Sequence, residues 1–227
     1  MKTIKQTLLF FILSCGAICV SSAQIIVPES DELLDKLRLN NSINRLNNVF
    51  YEDISGTPFM FKDFQTGEVL LKTGERYKAD LRFDKYAGEM QFKVKEVVYA
   101  IALPESISLI EINGTRFIYT KTDNIAKYLE VLSDGKCKLL AEKKARIQDA
   151  ELPKPYQQAK PARFIDLEDV IYLKLGDNNA VRIKNKKDLL TLMSDKKDQI
   201  NDFIGDNKLK TKDIEDLKRI VLYYNGL

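Results

Sequence analysis

Histidine is absent from the 227-residue sequence, and this absence excludes more chemistry than any other feature of the composition. Without imidazole the chain cannot build a Ser-His or Cys-His nucleophile pair or a His-ligated zinc or haem site, and the usual general base near neutral pH is missing. We therefore expect a non-enzymatic protein. The sequence assigns no catalytic, cofactor-binding or metal-binding residue, and the binding residues stay unknown at this stage.

Cysteine is scarce, with three residues in the chain. Cys15 and Cys19 belong to a predicted signal segment, which leaves Cys137 alone in the rest of the sequence. A single cysteine cannot form an intramolecular disulfide, an all-thiolate zinc site or an iron-sulfur cluster. We interpret Cys137 as a small apolar residue on a strand rather than a reactive thiol.

Long hydrophobic runs are also missing, since none approaches the roughly 20 residues of a membrane-spanning helix. The run from Leu8 to Val20 follows Lys2 and Lys5 and ends at Ser21-Ser22-Ala23. This order of basic, apolar and small residues is typical of a secretory signal peptide.

Removal of residues 1–23 predicts an exported protein that begins at Gln24, lies in the periplasm or outside the cell, and keeps no transmembrane segment. An alternative is a lipoprotein anchored through Cys15, with Ile12-Leu13-Ser14-Cys15 ending the apolar region. The apolar run continues past Cys15, which favours cleavage further along the chain.

Neither sign of charge is in excess, because residues 24–227 hold 34 Lys and Arg against 33 Asp and Glu. We expect no nucleic-acid partner. Basic residues are nevertheless concentrated in the segment 136–164, which includes Lys136, Lys138, Lys143, Lys144 and Arg146. Such a segment either attracts an anionic polysaccharide or lipid headgroup, or forms a solvated edge strand that lysine protects from pairing; we favour the strand.

The segment 56–184 is predicted to be rich in strands. Apolar and polar residues alternate from residue 77 to 84, as Tyr77-Lys78-Ala79-Asp80-Leu81-Arg82-Phe83-Asp84, and again from Met90 to Lys95. A period of two predicts strands with one face in the core and the other in solvent. Asn113-Gly114 and Asp134-Gly135 each separate two such strands and predict hairpins with type I′ turns.

Four further patterns complete the organisation of the chain. Residues 148–163 contain three prolines and predict an extended segment that crosses the surface, with no role assigned. A hairpin is expected from residue 170 to 183.

Apolar stripes at spacings of three and four then predict three short amphipathic helices in residues 186–225, with starts marked by Asn185, by Ser194 and by Thr211 with Asp213. A short helix that begins at Ser30 and carries Leu33, Leu34 and Leu37 precedes the sheet.

The sequence contains two matches to a catalytic motif, but neither is expected to lie in the structural context that the motif requires. Ser133–Lys136 and Ser194–Lys197 match the Ser-x-x-Lys spacing of some acyl-enzymes, which requires the serine at a helix start inside a cleft. We interpret the first pair as part of a hairpin turn and the second as a helix N-cap. A carboxylate pair of the kind that glycosidases use converges only in space, so the sequence neither identifies nor excludes it.

The most distinctive string is Gly56-Thr57-Pro58-Phe59-Met60-Phe61-Lys62-Asp63-Phe64. Phe59, Phe61 and Phe64 would form an aromatic ligand platform, but we favour a strand that enters the core after the Gly-Thr-Pro turn. With the strings at 81–86, 89–92, 194–197 and 223–226, it resembles a family of exported proteins of unknown function from Gram-negative bacteria. The resemblance implies export and one unit of sheet and helices, and it implies no site residues.

Together these patterns predict an α+β protein in one exported domain, residues 24–227. We expect an antiparallel β meander with a short N-terminal helix and C-terminal amphipathic helices, and curling into a half-barrel is left open.

The leading hypothesis is a non-enzymatic envelope protein that binds a protein or glycan partner. The alternatives are a hydrolase that uses carboxylates or a Ser/Lys pair, and a small-molecule carrier with a barrel cavity. The oligomeric state stays open.

Overall fold

The computed structural model describes residues 30–39, 43–45, 51, 54–101, 103–123, 125–151 and 160–227. The elements in these ranges are α1 (Ser30–Leu39), β1 (Ile43–Arg45), β2 (Gln65–Leu71), β3 (Arg76–Asp84), β4 (Glu89–Val94), β5 (Val97–Ile101), β6 (Ile107–Ile112), β7 (Thr115–Lys121), β8 (Ala126–Ser133), β9 (Cys137–Glu142), β10 (Ala145–Gln148), β11 (Arg163–Asp166), β12 (Val170–Leu175), β13 (Val181–Arg182), α2 (Lys186–Leu192), α3 (Lys197–Asp206) and α4 (Ile214–Gly226). The predicted signal peptide and residues 152–159 lie outside the described residues.

Most of the strands belong to one large antiparallel sheet. Its eleven strands are ordered β1-β5-β4-β3-β2-β6-β7-β8-β9-β12-β13. The chain makes one meander from β2 to β5, returns through a 3-10 turn at Pro104–Ser106, and starts a second meander where β6 pairs with β2. The sheet is open, since its edge strands β1 and β13 do not pair with each other in the described residues. The predicted α+β class with a large antiparallel sheet is confirmed.

The sheet bends strongly around a cluster of buried apolar side chains, which we call the first core. Phe83 on β3 and Phe117 on β7 are separated by two intervening strands, yet their ring centroids lie 5.2 Å apart. A flat sheet would hold these strands about 14 Å apart, at roughly 4.8 Å per strand. The concave face therefore closes on its own side chains, together with Leu33 and Leu34 of α1. The carrier hypothesis required a closed barrel, and this sheet is open.

The C-terminal helices cover a second core on one face of β9 and β12. Leu189 of α2, Ile200 of α3 and Leu217 of α4 pack with Cys137 and Leu173 of the sheet. The predicted helical segment is confirmed, and none of the described helices is long and apolar enough to span a membrane.

The helix starts agree in part with the prediction. Asn185 caps α2, because its Oδ1 accepts a hydrogen bond from the Asp188 amide at 3.1 Å. Asp213, rather than Thr211, caps α4 in the same way. Ser194 does not cap α3, because a 3-10 turn at Ser194–Lys196 precedes that helix and Lys196 takes the cap position without a side-chain bond.

The two predicted type I′ turns have different outcomes. Asn113 and Gly114 both have positive φ, at 48° and 77°, as a type I′ turn requires. The type I′ prediction at Asp134-Gly135 is wrong, because in this pair only Gly135 has a positive φ. The Asn225 side chain from α4 occupies this turn: its Oδ1 accepts from the Cys137 amide at 2.8 Å and its Nδ2 donates to the Cys137 carbonyl at 2.9 Å. A Cβ on Gly135 would lie 2.4 Å from that Nδ2.

Two features of the strands were not predicted. Lys95 and Glu96 form the turn between β4 and β5 with positive φ at both residues, although neither is Gly, Asn or Asp. The segment 148–163 was expected to be extended and poor in hydrogen bonds. Its residues 152–159 lie outside the described residues, and its described ends are hydrogen-bonded to each other, through β10 with β11 and through the Glu151–Lys160 bridge.

The prediction that one face of β3 lies in solvent is wrong at the end of the strand. Tyr77, Ala79, Leu81 and Phe83 are buried as predicted, but Arg82 and Asp84 on the opposite face are buried too. Gln91, opposite Arg82 on β4, is also buried. Tyr51, Phe59 and Phe64 cover these polar side chains, and together they form the candidate site.

Candidate functional site

The segment 54–60 is held between β3 and β11 by backbone hydrogen bonds. The Met60 amide donates to the Phe83 carbonyl and the Lys85 amide donates to the Pro58 carbonyl, both at 2.9 Å. On the other side the Phe164 amide donates to the Ser55 carbonyl at 2.9 Å. The segment therefore lies beside β3 on the same side as β2. This pairing fixes the positions of the aromatic side chains that follow the Gly56-Thr57-Pro58 turn.

Arg82 is clamped between two of these aromatic rings. Its guanidinium carbon lies 3.5 Å from the ring centroid of Phe59 and 4.2 Å from that of Phe64. Its Nε and Nη2 both donate to the Gln91 side-chain oxygen, at 3.2 and 2.9 Å. The residue is 9% exposed, so the cation–π contacts act in a poorly solvated position where they are strongest.

The charge of Arg82 has no direct carboxylate partner in the part of the chain that the structure describes. No Asp or Glu among the described residues lies within ion-pair distance of it, although Asp84 and Asp63 act on it from further away. Burial lowers the pKa of Arg82, and these two carboxylates act in the opposite direction. A guanidinium nevertheless stays charged in proteins, so the site contains a buried cation.

Asp84, which acts on Arg82 more strongly than Asp63 does, already accepts hydrogen bonds from other donors. It is completely buried and accepts hydrogen bonds from the Tyr51 hydroxyl and from the amides of Tyr86 and Ala87, each at 2.9 Å. Burial, followed by the charge of Asp84, raises the pKa of Tyr51, so its phenol remains a neutral donor. Burial and the neighbouring Asp84 also raise the pKa of Glu89, which faces Asp84 across the strand pair.

A cleft of about 320 Å³ opens over this arrangement. Aromatic, polar and small residues line it: Tyr51, Gly56, Thr57, Pro58, Phe59, Lys62, Asp63, Arg82 and Phe164. We call it the Arg82 cleft. Its aromatic wall is held by edge-to-face contacts, with the Tyr51 ring 5.3 Å from Phe164 and 6.0 Å from Phe59. Lys62 and Asp63 are exposed at its rim.

The predicted phenylalanine string is divided between two roles. Phe59 and Phe64 clamp Arg82, whereas Phe61 packs against the first core. The sequence therefore indicated the aromatic character of this site, but it missed Arg82, Asp84, Tyr51 and Phe164. Arg82 and Asp84 occupy the polar positions of an alternating strand, and the only local signal for the site was the density of aromatic residues at 59–64.

The Ser-x-x-Lys pairs do not form nucleophile pairs in the described structure. Neither Ser133 with Lys136 nor Ser194 with Lys197 is joined by a hydrogen bond, and Ser133 is the last residue of β8. Ser194 and Lys197 line a separate surface cleft with Lys186 and Lys187.

Neighbouring carboxylates pair with part of the basic segment 136–164. Lys138 pairs with Asp134, Lys143 lies 2.6 Å from Asp169, and Lys144 lies 3.0 Å from Glu142. Lys136 and Arg146 form no ion pair with a described residue, so the segment keeps part of its positive charge. The part of the chain that the structure describes also holds no group of three or more Cys, Asp or Glu side chains that could bind a metal ion.

Comparisons of the chain with protein-family models, with curated proteins and with solved structures find no match. The function is therefore inferred from the geometry of the Arg82 cleft.

Proposed function

We propose that the protein is an exported, non-enzymatic envelope protein that binds a glycan in the Arg82 cleft. The observation that carries this proposal is the combination of an aromatic wall with a few fixed polar groups in one concave site. Ligand pockets in proteins are typically apolar clefts in which a small number of polar side chains set the orientation of the ligand.

The size of the cleft favours a small ligand unit over a protein surface. Its 320 Å³ lies near the lower end of the range of about 300 to 1,000 Å³ for ligand pockets. One or two sugar rings are of suitable size. The apolar C–H face of a pyranose packs on rings such as Tyr51 and Phe164, while its hydroxyls bond to groups such as Thr57 and Asp63.

The carboxylates favour binding over hydrolysis. A glycosidase uses two carboxyl groups on either side of the scissile bond, but among the described residues Asp63 is the one carboxylate that lines the cleft. Asp84 lies beneath the cleft and its oxygens accept three hydrogen bonds from the protein itself. In the proposed binding mode, the described side chains that contact a bound sugar position it.

Export is proposed on the basis of the N-terminal sequence. Residues 1–23 have the basic, apolar and small-residue regions of a signal peptide, and a glycan is a ligand that the cell envelope supplies.

Saccharide binding can be tested by saturation-transfer NMR and calorimetry on the purified protein with methyl glycosides and disaccharides. We expect Tyr51→Leu to weaken binding by about tenfold, since it removes one aromatic face from the wall. Tyr223→Leu is the matched control, because Tyr223 stacks on Phe203 in the helical region, outside the cleft. Circular dichroism checks that both variants fold.

The recovered saccharide should be intact after prolonged incubation with the protein. Release of new reducing ends would support the hydrolase alternative. A protein that binds no saccharide, or one in which both tyrosine variants lose binding equally, would contradict the proposed site.

A further inference from the structure

Arg82 has more hydrogen-bonding capacity than the protein uses. A guanidinium carries five N–H donors, and the hydrogen bonds to the Gln91 oxygen occupy the edge formed by Nε and one N–H of Nη2. No described residue accepts from Nη1, and the second N–H of Nη2 is also without an acceptor. The end of the guanidinium fork is therefore unoccupied, in a residue that lines the cleft.

A buried cation in this state is costly for the protein alone. Removing a charge from water is unfavourable unless it is paired and hydrogen-bonded. Phe59 and Phe64 supply π faces and Gln91 supplies one neutral oxygen, but none of them supplies a negative charge. The strand pair thus holds a guanidinium that is fixed in position, partly dehydrated and open to an anion from the cleft.

We infer that the ligand of the Arg82 cleft carries a carboxylate, which the free Nη1/Nη2 edge of Arg82 binds in a bidentate manner. The inference rests on the proposed glycan-binding function and narrows it to acidic saccharides, such as those that contain a uronic acid. A planar carboxylate matches the planar fork of a guanidinium with two parallel hydrogen bonds. The sugar ring then packs against the aromatic wall.

The other charges around the cleft are compatible with an anionic ligand. Lys62 at the rim is exposed and forms no ion pair with a described residue, so its ammonium adds attraction. Asp63, also at the rim, and Asp84 beneath the cleft oppose an anion. Asp84 is screened by the three donors that bond to it, which leaves Asp63 as the main opposing group among the described residues of the cleft.

The first experiment compares two ligands that differ only in the carboxylate. Calorimetry with the full chain would measure binding of methyl glucuronide and of methyl glucoside at the same pH and salt concentration. We expect the glucuronide to bind about 10- to 100-fold more tightly, as is typical for a bidentate, charge-assisted contact. Equal affinity for the two would overturn the carboxylate inference and leave glycan binding standing, whereas binding of neither would contradict the proposed function itself.

The second experiment changes the partner of the guanidinium without changing its size. Gln91→Glu places a carboxylate on the edge that Gln91 now occupies, so the protein neutralises Arg82 internally. We expect this variant to fold, to keep its affinity for methyl glucoside and to lose the preference for the glucuronide. A preference that persists undiminished in Gln91→Glu would overturn the inference.

Arg82→Lys provides an independent variant, because it keeps the positive charge and removes the fork. We expect a loss of about tenfold or more in glucuronide affinity, and a loss that exceeds any change in glucoside affinity, because the carboxylate alone uses the fork. Lys78→Ala is the matched control, since Lys78 is an exposed cation on the same strand and outside the cleft. A glucuronide affinity that falls equally in Lys78→Ala and Arg82→Lys would show a general charge effect and would overturn the assignment to Arg82.

Discussion

At the scale of single residues, Arg82 shows a conflict between stability and binding. A buried ion with incomplete partners can often be replaced by apolar residues without loss of stability. Arg82 and Gln91 bond to each other across β3 and β4, so they can be replaced together without leaving an unpaired polar group. A residue that binds a ligand is expected to lower stability in this way, because its side chain is suited to the ligand and not to the packing of the fold.

We therefore expect the free energy of unfolding of the double variant Arg82→Met with Gln91→Leu to equal that of the wild type or to exceed it by about 1–4 kcal/mol. The methionine side chain keeps favourable contacts with Phe59 and Phe64. Arg82→Ala alone should instead lose about 1–3 kcal/mol, because the Gln91 oxygen is left without its donors. Urea denaturation measures both. A double variant less stable than wild type by several kcal/mol would make Arg82 a structural residue.

Cys137 is a buried thiol with a raised pKa. It is completely buried, and burial, followed by the charge of Asp195, raises its pKa to about 12. We expect no labelling by a thiol reagent in the folded protein at pH 8, full labelling in denaturant, and no change in melting temperature with a reductant. Cys137→Ser should cost about 1–3 kcal/mol, because it buries a hydroxyl in an apolar site. Rapid labelling of the native protein would contradict this description.

At the scale of elements, α4 depends on the sheet for its stability. The helix has 13 residues, and isolated helices of this length are marginal in water. Its buried face includes Leu217 and Val221, which lie in the second core with Cys137 and Leu139 of β9. The Asn225 side chain joins the same helix to the β8–β9 turn.

Leucine truncation at two positions of α4 tests this dependence. Leu217→Ala should lower the free energy of unfolding by about 2–5 kcal/mol, since Leu217 is buried in the second core. Leu222→Ala in the same helix should change it by less than about 0.5 kcal/mol, because Leu222 is 68% exposed. Thermal and urea denaturation distinguish the two. Equal effects at the two positions would show that α4 does not pack as the structure describes.

Strands β8, β9 and β12 are joined by Glu142, which gives a pH dependence. Burial would raise the pKa of Glu142, but hydrogen bonds from Lys127, Lys144 and Tyr172 lower it below the ordinary value of 4.5. The unfolded chain therefore binds a proton more readily than the folded one. The stabilisation is fully present above about pH 4.5 and is lost as the pH falls through the lower pKa of the folded state.

We expect the difference in free energy of unfolding between wild type and Glu142→Gln to be constant from pH 5.5 to 7 and to shrink below pH 4.5. Tyr172→Phe, which removes one of the three donors to Glu142, should show a smaller effect of the same sign. Urea denaturation at a series of pH values measures these differences. A difference that grows as the pH falls would contradict the assigned direction of the shift.

At the scale of the whole molecule, the proposed function requires the protein to reach the envelope. We expect mass spectrometry of the exported protein to give a mature chain that begins at Gln24, in the soluble periplasm or the medium. Cys15→Ala should leave this location unchanged. A diacylated Cys15 at the mature N-terminus would instead establish the lipoprotein alternative.

The sequence by itself determined the features that depend on neighbouring residues. The alternation in residues 77–84 gave β3 and its buried apolar face, Asn113-Gly114 gave a hairpin with the predicted turn type, and Asn185 marked a helix start. Strand periodicity, turn conformation and helix capping each depend on contacts within a few residues, so one local stretch of sequence carries their signal.

The tertiary structure decided what lies on the polar face of β3 and in the turn at Asp134-Gly135. The Arg82 cleft joins residues near positions 51, 57, 82 and 164, and the Asp134-Gly135 turn is shaped by Asn225. For an arginine on the polar side of an alternating strand, the sequence pattern predicts a solvent-exposed side chain. Whether it is solvated or buried depends on which distant segment covers it, and that is set by the packing of the whole chain, which local periodicity does not encode.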